Sequence, residues 1–266
     1  MNKKTITIAT LVRNREYILP HYLNHIYNID YDKSKINILW VVNNSNDNSQ
    51  KILEDFKSKY NSEYNKIKID VINKTNLKED TRKKEPRIDY IYKHLAELRN
   101  YICENSNTDY LFSIDSDILV LDKDILNKFT SYDKDIVSSY IYNGYIFAKD
   151  TNYKHSPYDF TNAMIFNNRF DKYKRPIFEI FSRSHIKKIG SRLQKIDITG
   201  AVYLIKKQVY KNKNVKYDFY HQGEDIPFCV SAIRSGYKVY CDFGTYSQHI
   251  MSEEFLEKYL NGEKLY

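Results

Sequence analysis

Residues 110–121 read Tyr110-Leu111-Phe112-Ser113-Ile114-Asp115-Ser116-Asp117-Ile118-Leu119-Val120-Leu121. Two short apolar runs of strand length flank an acidic tripeptide, the pattern of a buried strand interrupted at its end. Carboxylates at i and i+2 project to one side of an extended chain, so Asp115 and Asp117 can address one cation. Oxygen ligands of this kind suit Mg²⁺ or Mn²⁺, ions that keep water and phosphate in their shell. The tripeptide equally fits a plain polar turn, where Asp and Ser are common. By itself it does not decide.

The chain on either side does more. Upstream, Thr5–Val12 is a β-branched apolar run, and Glu16–Asn28 carries Ile18, Leu19, Tyr22, Leu23 and Ile26 at helical spacing. Ile36–Val42 is a second strand, ending in the polar cluster from Asn43 to Ser49, and Gln50–Tyr60 is helical. Ile67–Ile72 reads as a third strand and Ile88–Asn105 as a helix leading into Tyr110–Ile114. Strand and helix alternating in this way imply βαβ units, and ligands in such sheets collect at the carboxyl ends of the strands. Both polar clusters, after Val42 and after Ile114, fall there.

Downstream the pattern is less regular. Ile136–Phe147 looks β-rich, Lys149–Lys195 has no clear period, and Ile196–Ile205 is strand-like but broken by Gly200. Glu224–Ser235 reads as a helix, Tyr237–Asp242 as a strand and Glu253–Leu260 as a short final helix. With no repeat or credible linker, one domain over residues 1–266 is expected.

Composition excludes several classes. The 266 residues carry 42 Lys and Arg against 34 Asp and Glu, a net charge of +8, with 42% hydrophobic residues, as in a globular protein. No two of the seven glycines are separated by a single residue, so neither a Gly-x-Gly-x-x-Gly dinucleotide turn nor a phosphate-binding P-loop can be written. Cys103, Cys229 and Cys241 are too few and scattered for a disulfide framework and read as free thiols in a reducing compartment. Arg13 and Arg15 break the N-terminal apolar run, so no cleaved signal is expected, and no stretch of about 18 apolar residues suggests a membrane span. The 26 tyrosines travel with abundant Lys, Asn and Ile, as in an AT-rich genome, and are read that way rather than as a base-stacking groove.

Three further places could carry chemistry. His249 could complete a metal site and tilt it toward Mn²⁺, or simply be a hydrogen-bonded histidine. Gly223-Glu224-Asp225-Ile226-Pro227 opens a helix. Acidic residues and a first-turn proline suit a helix start on structural grounds alone, while the functional reading aims one carboxylate into the site as a general base. The helix dipole lowers such a pKa, so burial or neighbouring charge must restore basicity. Arg99 could fork onto a phosphate or lie on a solvated helix face.

In this order the pieces resemble a glycosyltransferase of the GT-A fold, closest to family 2, over about residues 5–250. Thr10-Leu11-Val12-Arg13-Asn14 resembles the first strand and its asparagine turn, and Val42-Asn43-Asn44-Ser45-Asn46-Asp47 the turn that holds the nucleobase and ribose. Leu98-Arg99-Asn100 resembles the Ala-Arg-Asn helix motif and Asp115-Ser116-Asp117 the Asp-x-Asp metal motif. Thr199-Gly200-Ala201 resembles the acceptor-side glycine turn, Gly223-Glu224-Asp225 the Glu-Asp motif of the catalytic base, and Gly236-Tyr237 the strand entry after it. Asn43-Asn44 stands where the family often has Asp-Asp, and Leu98 where it has a small residue.

The resemblance implies an α/β protein of the GT-A (Rossmann-like) fold, with a central mostly parallel mixed sheet flanked by helices. Residues 1–121 would form the nucleotide-sugar half and residues 122–266 the acceptor-binding and catalytic half. It implies Mn²⁺ (or Mg²⁺) held by Asp115, Asp117 and His249. A nucleotide-sugar donor, UDP-sugar favoured and GDP-sugar allowed, would meet Thr10, Val12, Asn14, Asn43, Arg99, Asp115 and Ser116. Asp225, or else Glu224, would serve as base in an inverting transfer to a glycan, lipid-linked or protein hydroxyl. The loop around Arg82–Arg87 would close over the phosphates, and residues 140–195 would build the acceptor site. The alternatives are a retaining transferase, a nucleotidyltransferase on the same aspartates and a basic nucleic-acid binder; the favoured reading has no nucleic-acid partner. The expected location is cytoplasmic, with room for peripheral contact at the inner face of the membrane.

Overall fold

The computed structural model describes residues 3–74, 89–143, 160–170 and 176–263. The expected lid around Arg82–Arg87 lies outside these residues, as does part of the expected acceptor segment.

The central sheet starts from three parallel strands. β1 (Ile6–Val12) pairs with β2 (Ile36–Asn43), and β2 with β3 (Lys66–Ile72). On its other side β1 pairs in parallel with β4 (Tyr110–Ile114). The chain therefore builds outward from β1 and then crosses back over it. This reversal leaves a crevice at the carboxyl ends of β1 and β4, the usual ligand site of open α/β sheets.

Period-two alternation explains why helices cover both faces. In β2, Ile36, Ile38, Trp40 and Val42 join one core, while Leu39 and Val41 join the other. The first core takes α1 (Leu19–Tyr27) and α2 (Ser49–Tyr60), through Leu19, Tyr22, Leu23, Ile26, Leu53 and Phe56. The second takes α3 (Asp89–Asn105), through Ala96, Leu98 and Ile102.

Beyond β4 the sheet becomes mixed. After β5 (Ile118–Val120), α4 (Ile125–Ser131) packs on the first core and leads to β6 (Ile136–Tyr140). A separate two-stranded antiparallel hairpin follows, β7 (Phe160–Phe170) with β8 (Pro176–Ser182), and then α5 (Arg183–Ile189). The irregular reading of residues 149–195 is thus corrected where they are described. The run 196–205 is likewise two strands, not one. β9 (Leu193–Ile196) pairs with the last strand, whereas β10 (Val202–Lys206) inserts antiparallel between β4 and β6. Gly200 and Ala201 form the turn that separates them.

After the single-turn α6 (Lys207–Tyr210), α7 (Asp225–Arg234) buries Ile226, Phe228, Cys229 and Ala232 in the second core. The last strand, β11 (Val239–His249), runs well past the expected end at Asp242. It pairs parallel with β6 and antiparallel with β5, where His249 stands opposite Ile118. α8 (Glu253–Leu260) closes the chain against the first core through Phe255 and Leu256.

Candidate active site

The turns after β1 and β2 are tied together by side chains taking backbone N–H groups. Asn14 N–H donates to Ser45 Oγ (3.1 Å), Arg15 N–H to Ser49 Oγ (2.8 Å) and Glu16 N–H to Asp47 Oδ2 (3.0 Å). In return Asn46 N–H donates to Asn14 Oδ1 (2.8 Å) and Asn48 N–H to Glu16 Oε2 (3.0 Å). Asn14 and Asn44 adopt positive φ, 50° and 46°, a conformation asparagine tolerates better than most residues. An open cleft of about 580 Å³ lies beside these turns, lined by Asn14, Glu16, Tyr17, Asn46, Asp47, Asn48, Ile52 and Glu253. None of the charged residues described next lines it; they cluster in the neighbouring β1–β4 crevice.

Asp115 follows β4, its N–H bonded to the Ala201 carbonyl (2.8 Å) in the β9–β10 turn. Ala201 has φ of 66°, unusual for a residue with a Cβ and typical of strained functional backbone. Asp117 is buried, and its carbonyl accepts from Ile250 N–H (2.8 Å). That bond carries the end of β11 into the site and sets His249 Nε2 3.6 Å from Asp117 Oδ1. Arg15 Nη2 donates to Asp117 Oδ2 (3.2 Å) from across the β1–β4 crevice.

Arg99 is the hub. It is buried on α3, correcting any reading of it as a solvated face. Its Nε donates to Glu224 Oε1 (2.7 Å), Nη1 to Ser113 Oγ (3.3 Å) and Nη2 to Asp115 Oδ1 (2.8 Å). Asp225 Oδ1 is 3.8 Å from Nε. Burial opposes its charge, but Asp115, Asp225 and Glu224 outweigh that and keep the guanidinium protonated. The next residue, Asn100, turns aside to clamp Tyr217, donating to its carbonyl (2.8 Å) and accepting from its N–H (3.0 Å).

Asp225 opens α7. Tyr203 donates to its Oδ1 (2.8 Å), and the Tyr203 and Tyr217 hydroxyls are themselves hydrogen-bonded. Burial pushes both tyrosine pKa values up, so both stay protonated, and the proton order runs Tyr217 to Tyr203 to Asp225. The Asp225 carboxyl also packs on Gly200, where an added Cβ would lie 2.8 Å from Cγ. Burial pushes Asp225 up to about 7, with Arg99 opposing and the charges of Glu224 and Asp115 reinforcing. The basicity that a helix start withholds is thus restored by burial and like charge.

Most of the expected site residues come together: Arg99, Asp115, Asp117, Glu224, Asp225 and His249 form one charged cluster, with Ser116 buried between the aspartates. Asn14 lies in the turn beside it. Asn43, buried at the end of β2, meets His94 Nε2 (2.9 Å). Thr10 and Val12 point into the first core, Thr10 Oγ1 lying 2.6 Å from Tyr22 OH, so only their backbone can reach a ligand at the strand end. Sequence reasoning missed Arg15, Ser113, Tyr203 and Tyr217. Ser113 and Tyr203 had a signal, being cross-strand partners beside the two motif turns.

A divalent cation fits this donor set. Three carboxylates (Asp115, Asp117, Glu224) and the partly protonated Asp225 face two guanidiniums (Arg15, Arg99), leaving an excess of negative charge. His249 Nδ1 is buried without a hydrogen bond, leaving the ring without the usual outer partner that would fix its tautomer. Metal–oxygen bonds of about 2.0–2.1 Å let two ligands of one ion lie up to about 4.2 Å apart, and the 3.6 Å Asp117–His249 separation falls within that. Among the described residues, however, no three His, Cys, Asp or Glu side chains form a ready-made cage. The pair suits an ion that completes its shell with water and phosphate.

A crossed-back parallel sheet with an antiparallel insert, and acidic motifs at the ends of its strands, is the GT-A glycosyltransferase fold. Solved structures bear this out, and at their low identity they speak for fold alone. S. aureus TarS 1–349 with UDP-GlcNAc superposes with a TM-score of 0.54 at 15% identity, over 95% of this chain and 60% of that one. The mannosyltransferase PcManGT from Pyrobaculum calidifontis, solved with GDP-Man and Mn²⁺, gives 0.53 at 11%, over 93% and 57%.

The chain belongs to glycosyltransferase family 25, whose N-terminal domain matches residues 3–185. The match takes in Arg99 and the Asp115–Asp117 motif and stops before Glu224, Asp225 and His249. A glycosyltransferase 25 family member of Drosophila melanogaster is 27% identical over 70% of this chain and 29% of its own length. Procollagen galactosyltransferase 1 of Danio rerio is 24% identical over 50% and 22%. The chain thus spans less than a third of these relatives.

Proposed function

We propose that the chain transfers a sugar from a nucleotide-diphosphate donor, a UDP-sugar rather than a GDP-sugar, to a hydroxyl acceptor with inversion. The observation that carries this is Asp225: a carboxyl with a pKa of about 7, oriented by Tyr203, packed on Gly200 and facing the aspartate motif across Arg99. A base poised near neutrality is what general-base catalysis needs, and it is worth about 10²–10⁴ in rate.

The acceptor oxygen attacks the anomeric carbon and its proton passes to Asp225. The anomeric C–O bond to the diphosphate breaks on the opposite face, and the diphosphate leaves with the electron pair. Glu224, held by Arg99, fixes the start of α7 and helps keep Asp225 basic. Asp117 and His249, with Asp115 close by, would hold Mn²⁺ or Mg²⁺, which supplies counter-charge for the leaving diphosphate. Arg15 is placed to reach the same phosphates. The bonded turns around Asn14 and Asn43 would receive nucleoside and ribose, and the side from β6 to α5 the glycan, lipid-linked or protein acceptor. Among the described residues no helix is long and apolar enough to cross a membrane.

The UDP preference draws on the UDP and UDP-GlcNAc complexes of one fold neighbour, against the GDP-Man complex of another. The test is thermal stability with UDP, GDP, CMP and dTDP, each with Mn²⁺ or EDTA. A ligand at about 100 times its dissociation constant adds about 2.7 kcal/mol. A metal-dependent shift with UDP, lost in Asp117→Ala, is expected. No shift with any nucleotide would refute the donor site.

A further inference from the structure

The end of β2 is held by a closed circuit of polar side chains that the acidic cluster does not use. Asn43, the last residue of β2, is buried, and its amide oxygen lies 2.9 Å from His94 Nε2 on α3. His94 Nδ1 is 3.4 Å from Oε2 of Glu97, three residues further along the helix, and the same oxygen takes the Lys74 ammonium. Lys74, two residues past β3, closes the circuit through its backbone. Its N–H donates to Asn44 Oδ1 (3.0 Å), and its carbonyl accepts from Asn44 Nδ2 (2.8 Å). The bonds thus run from β2 to α3, on to the chain after β3, and back to the residue beside Asn43.

His94 is only 4% exposed, and both its ring nitrogens face this circuit. Among the described residues the Asn43 amide nitrogen donates to nothing. An asparagine amide has an acceptor at one end and two donor hydrogens at the other, so whichever end is held inside fixes what the other presents. Burial pushes the His94 pKa down, with Glu97 opposing and the Lys74 and Arg13 charges reinforcing, so the ring carries one proton at neutral pH. Two acceptors, Asn43 Oδ1 and Glu97 Oε2, face that one proton. Asn43 is the nearer, and Glu97 already holds Lys74. The proton therefore sits on Nε2, the Asn43 oxygen is taken, and its NH₂ is left for a ligand. A ring proton on Nδ1 would reverse this, because Nε2 would then need a donor and the amide would have to turn round.

We propose that His94 is a positioning residue for donor recognition, fixing the Asn43 amide so that its NH₂ meets a carbonyl oxygen of the donor's base. This rests on the glycosyltransferase reading, which puts the nucleoside at these turns, and adds how the base is read. Asn43 makes the contact and His94 acts only through it. The Lys74–Glu97 pair is open to solvent and worth little by itself; its effect here is to occupy Glu97, so that the carboxylate does not draw the ring proton to Nδ1. α3 also carries Arg99, five residues on and about 7.5 Å along the axis at a rise of about 1.5 Å per residue. One helix therefore sets the base-reading amide and the guanidinium of the acidic cluster at a fixed spacing.

The test is a binding cycle on the full chain with Mn²⁺, followed by calorimetry with UDP and with ribose 5-diphosphate, which lacks the base. Wild type should bind UDP the more tightly. Asn43→Ala and His94→Leu should each weaken UDP by about tenfold, the loss of one hydrogen bond. The double variant should be no weaker than Asn43→Ala, because His94 then has nothing to orient. His94→Gln, whose amide can donate to the same oxygen, should keep most of the affinity. Ribose 5-diphosphate should bind all five proteins alike. Unchanged UDP affinity in His94→Leu, additive losses in the double variant, or an equal loss of ribose 5-diphosphate binding overturns the proposal, the last two making His94 a clamp on the fold. The His94→Gln arm stands independently: UDP affinity lost there while ribose 5-diphosphate still binds also overturns it, as does a wild type that binds both ligands equally. If wild type binds neither, the glycosyltransferase reading itself has failed.

Discussion

Replacing Gly200 by alanine would test the base without touching it. Gly200 is not in the left-handed region, so the backbone accepts alanine and the objection is purely one of space. The new methyl would stand 2.8 Å from Asp225 Cγ and closer still to Oδ2. Carbon atoms pack at about 3.5–4.0 Å, so the carboxyl must withdraw by roughly 0.7–1.2 Å. It cannot do so and keep the 2.8 Å bond from Tyr203. A catalytic group misplaced by about 1 Å loses about 10²-fold in rate, and overpacking a close-packed site costs about 1–3 kcal/mol of stability. Nucleoside diphosphate release in the presence of an acceptor should therefore fall by about two orders of magnitude in Gly200→Ala. Binding of UDP and Mn²⁺ should persist, because the atoms nearest the new methyl belong to Asp225 and not to the turns assigned to the donor. Turnover at the wild-type rate would show that Asp225 is not the base or that its position is uncritical.

Three more predictions follow from the same cluster. Because Asp225 titrates near 7 in the folded chain and near 3.8 when unfolded, the folded state keeps a proton that the unfolded state has lost between those values. Stability should fall as pH rises through that window while kcat/KM climbs toward an inflection near pH 7, and Asp225→Asn should abolish both slopes. Tyr203→Phe removes a bond that lowers the Asp225 pKa, so the kinetic inflection should move to higher pH; a profile that stays put would refute the coupling. Arg99→Ala strands Glu224 and Asp115 without their counter-charge and should cost about 3–5 kcal/mol in urea unfolding, a loss under 1 kcal/mol being incompatible with a buried hub.

The first half of the fold was legible because most of its strands hold apolar runs between turn residues, such as residues 38–42, buried on both faces. In the second half the helices Asp225–Arg234 and Glu253–Leu260 and the start of β6 were legible too, but the remaining strands, paired across long separations with little local signal, were not. The run 196–205, strand-like and broken by Gly200, belongs to two strands, Leu193–Ile196 and Val202–Lys206, which join different neighbours. Likewise, the bulge between Asp242 and Tyr246 hid the length of β11. At the site, short motifs placed the acidic residues and Arg99. Tyr217 was invisible, since it comes in from outside any strand or helix, held by the clamp from Asn100, the Tyr203 hydroxyl and stacking on Phe228. Thr10 and Val12 show the limit of motif matching: strand parity sends their side chains to the same core as Ile8, whatever the strand end binds.

The hydrogen-bonded turns between Asn14 and Ser49 bear on how quickly a donor can be captured. Their backbone N–H groups are already engaged by Ser45, Ser49, Asp47, Asn14 and Glu16, which ties the two turns into one frame. The entropy of arranging them is settled when the chain folds, so an arriving nucleotide has little left to organise on that side. Capture there should resemble docking on a finished surface, with association limited by encounter rather than by a loop finding its place.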